Sequence, residues 1–222
     1  MVAPTKVIVS FSGGMDSTTL VARCKKAFDE VETVSFDYGS KHNSYERTAL
    51  ERLVEHYHLR HTYLQLELPE WGFKSALLKD GGDIPEGHYE DPSMKVTVVP
   101  GRNLIFASIL AGLAESRGAK CIALKVHAGD RAVYPDCRSE FIDSLKNTVS
   151  LSTENRVFVY TPYLTHSKAD IIKEGFRLNV PYHLTRTCYK DQLHACGKCG
   201  SCVERREAFS LAGKVDPVIY EK

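Results

Sequence analysis

The chain reads as an α/β protein with a doubly wound parallel sheet and a small cysteine-rich region at its C-terminal end. Three observations predict this. Short apolar runs alternate with helix-period segments through most of the sequence, the pattern of a parallel sheet with helices on both faces. The first run, Val7-Ile8-Val9, leads straight into a glycine-containing turn, Ser12-Gly13-Gly14-Met15-Asp16-Ser17, that opens a helix. Cys188, Cys196, Cys199 and Cys202 crowd together near the end, while Cys24, Cys121 and Cys137 are scattered.

Taken in order, residues 6–11 read as a strand and 16–28 as a helix, followed by a strand over 32–36 and an amphipathic helix over 44–57. A strand over 61–66 follows, then an alanine-rich apolar helix over 103–116 and a strand over 121–126. Residues 138–149 are helical, 157–160 form a short strand, and 166–175 form a helix capped by Ser167 or its neighbour. In such sheets ligands bind beyond the carboxyl ends of the strands, which is where the glycine turn lies. Residues 67–100 stand apart, with Pro69, Pro85, Pro92 and Pro100, several glycines and little periodicity. A loop of that length in a compact domain points to a mobile segment over the active site. The pattern divides the chain into a nucleotide-binding domain over residues 1–184 and a metal-binding region over 185–222.

Composition narrows the function. Hydrophobic residues at 43% and charged residues at 26% are ordinary for a globular protein, and a net charge of +1 argues against a broad nucleic-acid surface. No run approaches the roughly 20 consecutive apolar residues that span a bilayer, so no membrane partner is expected. The segment before the first strand lacks a secretory apolar stretch, which predicts a cytoplasmic protein.

The turn after the first strand carries the chemistry. A strand that ends in a glycine turn and opens a helix aims backbone N–H groups and the positive end of a dipole at one point, an anion site. Gly13 and Gly14 allow close approach to a phosphate, and Ser12, Ser17 and Thr18 offer hydroxyls. An ordinary capped connection is the plainer reading. No lysine follows until Lys25, which separates this turn from the common nucleotide loop with its Gly-Lys-Ser/Thr ending. Asp16 reads equally as a Mg²⁺ contact and as an acid placed in the first helical turn by the dipole.

Four cysteines at short spacing match a closed tetrahedral zinc site with Cys188, Cys196, Cys199 and Cys202 as ligands. A redox Cys-x-x-Cys pair or a persulfide-carrying cysteine are the rival readings. The thiolates would leave net negative charge for Lys190, Lys198, Arg205 and Arg206 to offset. Elsewhere, Arg102 suits a phosphate or carboxylate, and Asn103 a base edge or a helix cap. Asp130, Tyr134 and Asp136 follow a strand and suit a polar heterocycle, although Asp136 also suits a cap for the helix beginning at Arg138. Lys168 reads as a phosphate contact or a solvated lysine.

The Ser12–Ser17 turn resembles the PP-loop of the ATP-pyrophosphatase superfamily, whose members transfer AMP to a substrate oxygen and release pyrophosphate. The run Phe11-Ser12-Gly13-Gly14-Met15-Asp16-Ser17-Thr18-Thr19, with Phe36-Asp37-Tyr38-Gly39, Val99-Pro100-Gly101-Arg102-Asn103, Tyr134-Pro135-Asp136-Cys137-Arg138-Ser139-Glu140-Phe141, Ser167-Lys168-Ala169-Asp170-Ile171 and the cysteine segment from Thr187 to Arg205, is similar to the 7-cyano-7-deazaguanine (preQ0) synthase family. The resemblance covers nearly the whole chain in order. It implies ATP and Mg²⁺ held by residues 11–19, catalytic roles for Asp16, Lys168 and Arg102, and a substrate pocket lined by Asn103, Asp130, Tyr134 and Asp136. It also implies 7-carboxy-7-deazaguanine and ammonia as substrates, a structural Zn²⁺ and a homodimer. One position departs: Lys125 stands where the family usually has glycine, and it is a further candidate for the substrate or phosphate. A synthase that stops at the amide, a tRNA-thiolating PP-loop enzyme, an enzyme that conjugates the activated base, and a non-catalytic nucleotide-binding module are the alternatives.

Overall fold

The computed structural model describes residues 6–154 and 156–221; residues 1–5, read above as lacking a secretory apolar stretch, lie outside the described residues. The sheet consists of β1 (Lys6–Ser10), β2 (Glu30–Asp37), β3 (Arg60–Gln65), β4 (Cys121–Ala123) and β5 (Phe158–Tyr160), all parallel, in the order β3-β2-β1-β4-β5. The helices are α1 (Met15–Ala27), α2 (Asn43–Tyr57), α3 (Arg102–Ser116), α4 (Ser139–Ser152), α5 (Lys168–Arg177) and α6 (Gly200–Leu211).

Side chains alternate across a strand, so each strand feeds two cores. Val7 and Val9 of β1 pack with Leu20 and Val21 of α1, Leu50 and Leu53 of α2, and Ile171 of α5. Ile8, Val34 and Ile122 face the other way, against Ala107, Leu110 and Ala111 of α3 and Ile142 and Leu145 of α4. A sheet covered on both faces accounts for the continuous apolar runs Val7-Ile8-Val9 of β1 and Cys121-Ile122-Ala123 of β4. The chain first builds outward from β1 to β2 and β3, then crosses over to β4 on the opposite side. That reversal opens a crevice above the carboxyl ends of β1 and β4.

Two elements differ from the sequence pattern. The apolar run over 121–126 pairs as a strand only through Ala123, and Leu124 N donates a last bond to Tyr160 O at 3.0 Å. Val126 is buried because the departing chain dives into the core, not because it lies in the sheet. Helix α6 gives no hydrophobic period because its buried face includes Gly200, Ser201, Cys202 and Arg205.

Residues 92–116 are apolar enough in length and composition to cross a bilayer, but they are not one continuous rod. A 3-10 turn (Pro92–Thr97) and α3 are separated by Gly101, whose φ is +63°. At 1.5 Å per residue α3 alone is about 22 Å long, and Ala107, Leu110, Ala111 and Ala114 on it are buried in the core.

The segment over 67–100 packs in place. Leu68, Leu77, Leu78 and Val99 form a cluster with Tyr38, and Tyr89 and Met94 enter the main core. Gly87 N donates to Lys198 O at 3.0 Å, which docks the segment on the cysteine region. The C-terminal region is likewise stitched to the first loop, since Arg186 N donates to Gly13 O at 3.0 Å.

Candidate active site

The crevice holds a cavity lined by the loop after β1, the start of α3, the chain leaving β4, the start of α5 and the cysteine region. Its floor is the glycine turn. Gly13 has a φ of +78°, and a Cβ there would sit 3.1 Å from the backbone of Leu50, so both conformation and space require glycine. Ser17 Oγ donates to Gly14 O at 3.0 Å and accepts from Ser12 N at 3.3 Å, which closes the turn. Ser12, Gly14, Met15, Asp16 and Ser17 line the cavity.

The other residues expected to hold nucleotide lie elsewhere. Thr18 Oγ1 donates back to Gly14 O at 2.8 Å and Thr19 Oγ1 to Met15 O at 2.8 Å, and both threonines are fully buried. Their hydroxyls serve the first turns of α1 and, for Thr19, Tyr182. Phe11 is a core residue set edge-on to His61. The hydroxyl expected of Thr18 is therefore unavailable to a phosphate.

Asp16 is buried, and its Oδ1 has no partner. Its Oδ2 lies 3.5 Å from Lys168 Nζ and 3.8 Å from His127 Nε2. Lys168 begins α5, behind a capping box in which Ser167 and Asp170 bond each other's backbone amides, so the expected cap is Ser167 itself. The ammonium is not a solvated surface group. It is buried between Asp16 and Glu204 over the ring of Tyr89, 5.4 Å from the ring centre. Burial alone would lower its pKa, but Asp16, Glu204 and Asp130 outweigh that and hold it above the usual lysine value.

Asp130 and Tyr134 line the cavity. Asp130 accepts from Tyr89 Oη at 2.9 Å and lies 3.4 Å from His127 Nε2 and 4.0 Å from Lys125 Nζ. Burial opposes its charge, but His127, Lys125 and Lys168 hold its pKa well below the usual carboxylate range. His127 Nδ1 accepts from Gly129 N at 3.1 Å, so Nε2 carries the proton and faces both carboxylates. Arg102 is framed by Tyr38 and Tyr134, its guanidinium carbon 5.6 and 5.8 Å from their ring centres. Lys125 lines the same cavity.

Asp136 is displaced from the role expected of it. Its Oδ2 accepts from Asn103 N at 2.9 Å, which caps α3 and not the helix after Arg138. Asn103 sits inside α3 with its amide turned to Asp136 and Cys137, although it still borders the cavity. His127, Tyr89, Tyr189 and Glu204 complete the surroundings. Tyr89 belongs to the proline-rich segment, and nothing in the spacing marks Glu204, a carboxylate inside α6.

The four thiols of Cys188, Cys196, Cys199 and Cys202 are buried, with all sulfur atoms within 4.8 Å of one another. Zn–S bonds of about 2.3 Å place tetrahedral sulfur atoms about 3.8 Å apart, and Cys196 Sγ and Cys202 Sγ are 3.9 Å apart. The amides of Lys190, Cys196, Lys198 and Cys199 donate to the sulfur atoms at 3.3–3.5 Å. These amides offset thiolate charge at close range. Arg205, expected to do so, is instead buried against Asp216, which its Nε and Nη2 reach at 2.8 and 2.9 Å.

Comparison with known proteins adds the lineage. The model of a family described as queuosine biosynthesis protein QueC matches residues 6–213. The chain belongs to the QueC family. Among QueC relatives, the 7-cyano-7-deazaguanine synthase of Porphyromonas gingivalis is 44% identical over 214 residues, 96% of each chain. The 7-cyano-7-deazaguanine synthase 1 of Colwellia psychrerythraea is 41% identical over 97% of this chain and 99% of its own. Among solved structures, NMN synthetase from Francisella tularensis superposes with a TM-score of 0.52 at 12% identity, covering 96% of this chain and 79% of that one. That likeness concerns the fold alone, a parallel sheet with helices on both faces. This QueC chain thus combines that fold with a buried group of four cysteines able to hold a metal.

Proposed function

We propose that this chain is a 7-cyano-7-deazaguanine synthase, an ATP-dependent ligase that makes the nitrile from 7-carboxy-7-deazaguanine and ammonia. The observation that carries the reading is the cavity itself, where the glycine turn, Asp16 and the cations Arg102, Lys125 and Lys168 meet an aromatic wall. The substrate carboxylate oxygen attacks the α-phosphorus of ATP as the α–β bond breaks and pyrophosphate leaves. Ammonia adds to the acyl carbon, AMP departs and the amide remains. A second ATP adenylates the amide oxygen; loss of AMP and the nitrogen-bound protons leaves the nitrile.

The turn over 12–17 grips the phosphates, and Lys168 and Arg102 offset charge on the transferring and leaving groups. Asp16, with its unpartnered buried Oδ1, suits a Mg²⁺ contact, and the ion would draw charge from the phosphate oxygens. Lys125 faces the substrate carboxylate, and Asp130, Tyr134 and Asn103 the deazaguanine. Asp136 acts through the start of α3. The cysteine group suits Zn²⁺, held closed by Cys188, Cys196, Cys199 and Cys202 with no position for a substrate. None of the seven cysteines is paired in a disulfide, which suits a reducing cytoplasm.

The test is mass spectrometry of reactions with 7-carboxy-7-deazaguanine, ATP, Mg²⁺ and ammonium. The nitrile, with AMP and pyrophosphate, is expected. An amide that accumulates would make Lys125 the mark of an enzyme that stops early, and no turnover in folded protein would reject the substrate. We take the protein to be a homodimer; a sedimentation mass of one chain would reject that.

A further inference from the structure

We propose that Glu204, on the helix that starts from the cysteine knuckle, is the positioning residue for Lys168. The proposal rests on Lys168 acting on the nucleotide, not on which base is activated.

The Lys168 ammonium bonds the Glu204 carboxylate through Oε2, while Asp16 Oδ2 stays at 3.5 Å, an ion pair without a hydrogen bond. All three side chains are nearly buried. An ammonium on a flexible four-carbon stem turns toward whichever carboxylate reaches it. In a buried site, an unpaired cation collapses onto the remaining anion, because the local attraction is weakly screened. Glu204 therefore holds Lys168 off Asp16. It leaves Asp16 Oδ1 free and keeps the ammonium where a phosphate can meet it.

Glu204 keeps this position because its helix is anchored at both sides. Helix α6 begins on the knuckle, with Cys199 as N-cap and Cys202 in its first turn. A Cβ at Gly200 would lie 2.9 Å from Met94 Sδ, so this helix start is pressed directly against the segment that brings Tyr89 under Lys168. A Cβ at Gly129 would lie 3.2 Å from Glu204 Oε1, so the carboxylate also packs against the loop that carries Asp130. A chain of contacts thus runs from the thiols through α6 and Glu204 to Lys168 and Asp16.

The experiment is a double-mutant cycle on the full-length protein, read as equilibrium binding of Mg·ATP by calorimetry, with bound zinc counted in every sample. E204Q is expected to weaken binding about tenfold in the wild-type background and less than about twofold in a K168M background, because coupled neighbours are not additive. Zinc content should be unchanged. E204D, which keeps the charge one methylene short, should recover part of the loss, and it replaces E204Q in the cycle if that variant fails to fold. Equal losses in both backgrounds would make Glu204 a merely structural residue and overturn the proposal. So would normal binding by E204Q, or normal binding by K168M. Failure of the wild-type protein to turn over 7-carboxy-7-deazaguanine, with the binding cycle as expected, would reject the substrate and leave Glu204 in its role.

Discussion

Asp136 caps helix α3 from across the fold: its Oδ2 accepts from Asn103 N at 2.9 Å, one residue beyond Arg102. The carboxylate thereby satisfies an open amide at the positive end of the helix dipole, where negative charge is favoured. The same contact sets where Arg102 leaves the helix. D136A should lower stability by about 1 kcal/mol, the usual loss for a cap, and should also weaken ATP binding. Urea midpoints and calorimetry measure the two effects. Weaker ATP binding without lost stability would mean that Asp136 touches the ligand directly.

Gly13 is the least replaceable residue of the turn. At a φ of +78°, with Leu50 backbone 3.1 Å from any added Cβ, alanine meets both strain and contact. The left-handed conformation alone costs roughly 1–2 kcal/mol. G13A should lower the melting temperature and abolish detectable pyrophosphate release. G14A should be milder, because Gly14 has a φ of −74° and its nearest contact for a Cβ is Arg186 O at 3.4 Å.

Metal removal should act on structure first. The buried thiols support the start of α6, and ligand binding at such a site adds directly to folding stability. Stripping the metal, or making C199S, should lower stability by several kcal/mol and loosen residues 186–221 to proteolysis. A folded, metal-free protein of unchanged melting temperature would return the cysteines to the redox or sulfur-carrier readings.

His61 gives a pH signature. Burial lowers its pKa from 6.5 to about 4, and its ring bonds Thr33 Oγ1 at 2.8 Å and Ser35 Oγ at 3.0 Å. Between those values the unfolded chain binds the proton and the folded chain does not, so stability falls as pH drops from 6.5 toward 4. Denaturation midpoints across that range should fall more steeply for wild type than for H61Q. Parallel curves would show that His61 titrates normally in the folded protein.

The features that local sequence determines are those whose interactions close within a few residues. The turn over 12–17, the capping box of Ser167 and Asp170, and the spacing of Cys196, Cys199 and Cys202 are of this kind, and each forms where its pattern places it. Short continuous apolar runs separated by helix-period segments likewise point to a parallel sheet, because a strand buried on both faces has no polar side to show. Tertiary structure alone decides the rest. The order β3-β2-β1-β4-β5 sets the crevice between β1 and β4, and no local signal encodes which strand crosses over. Thr18 and Thr19 carry hydroxyls in the right motif, yet α1 turns them inward onto its own carbonyls. Asp136 joins Asn103, and Glu204 joins Lys168, over 33 and 36 residues of chain. A buried charge takes the partner that packing brings to it, and that partner is chosen by the folded core, not by its neighbours in sequence.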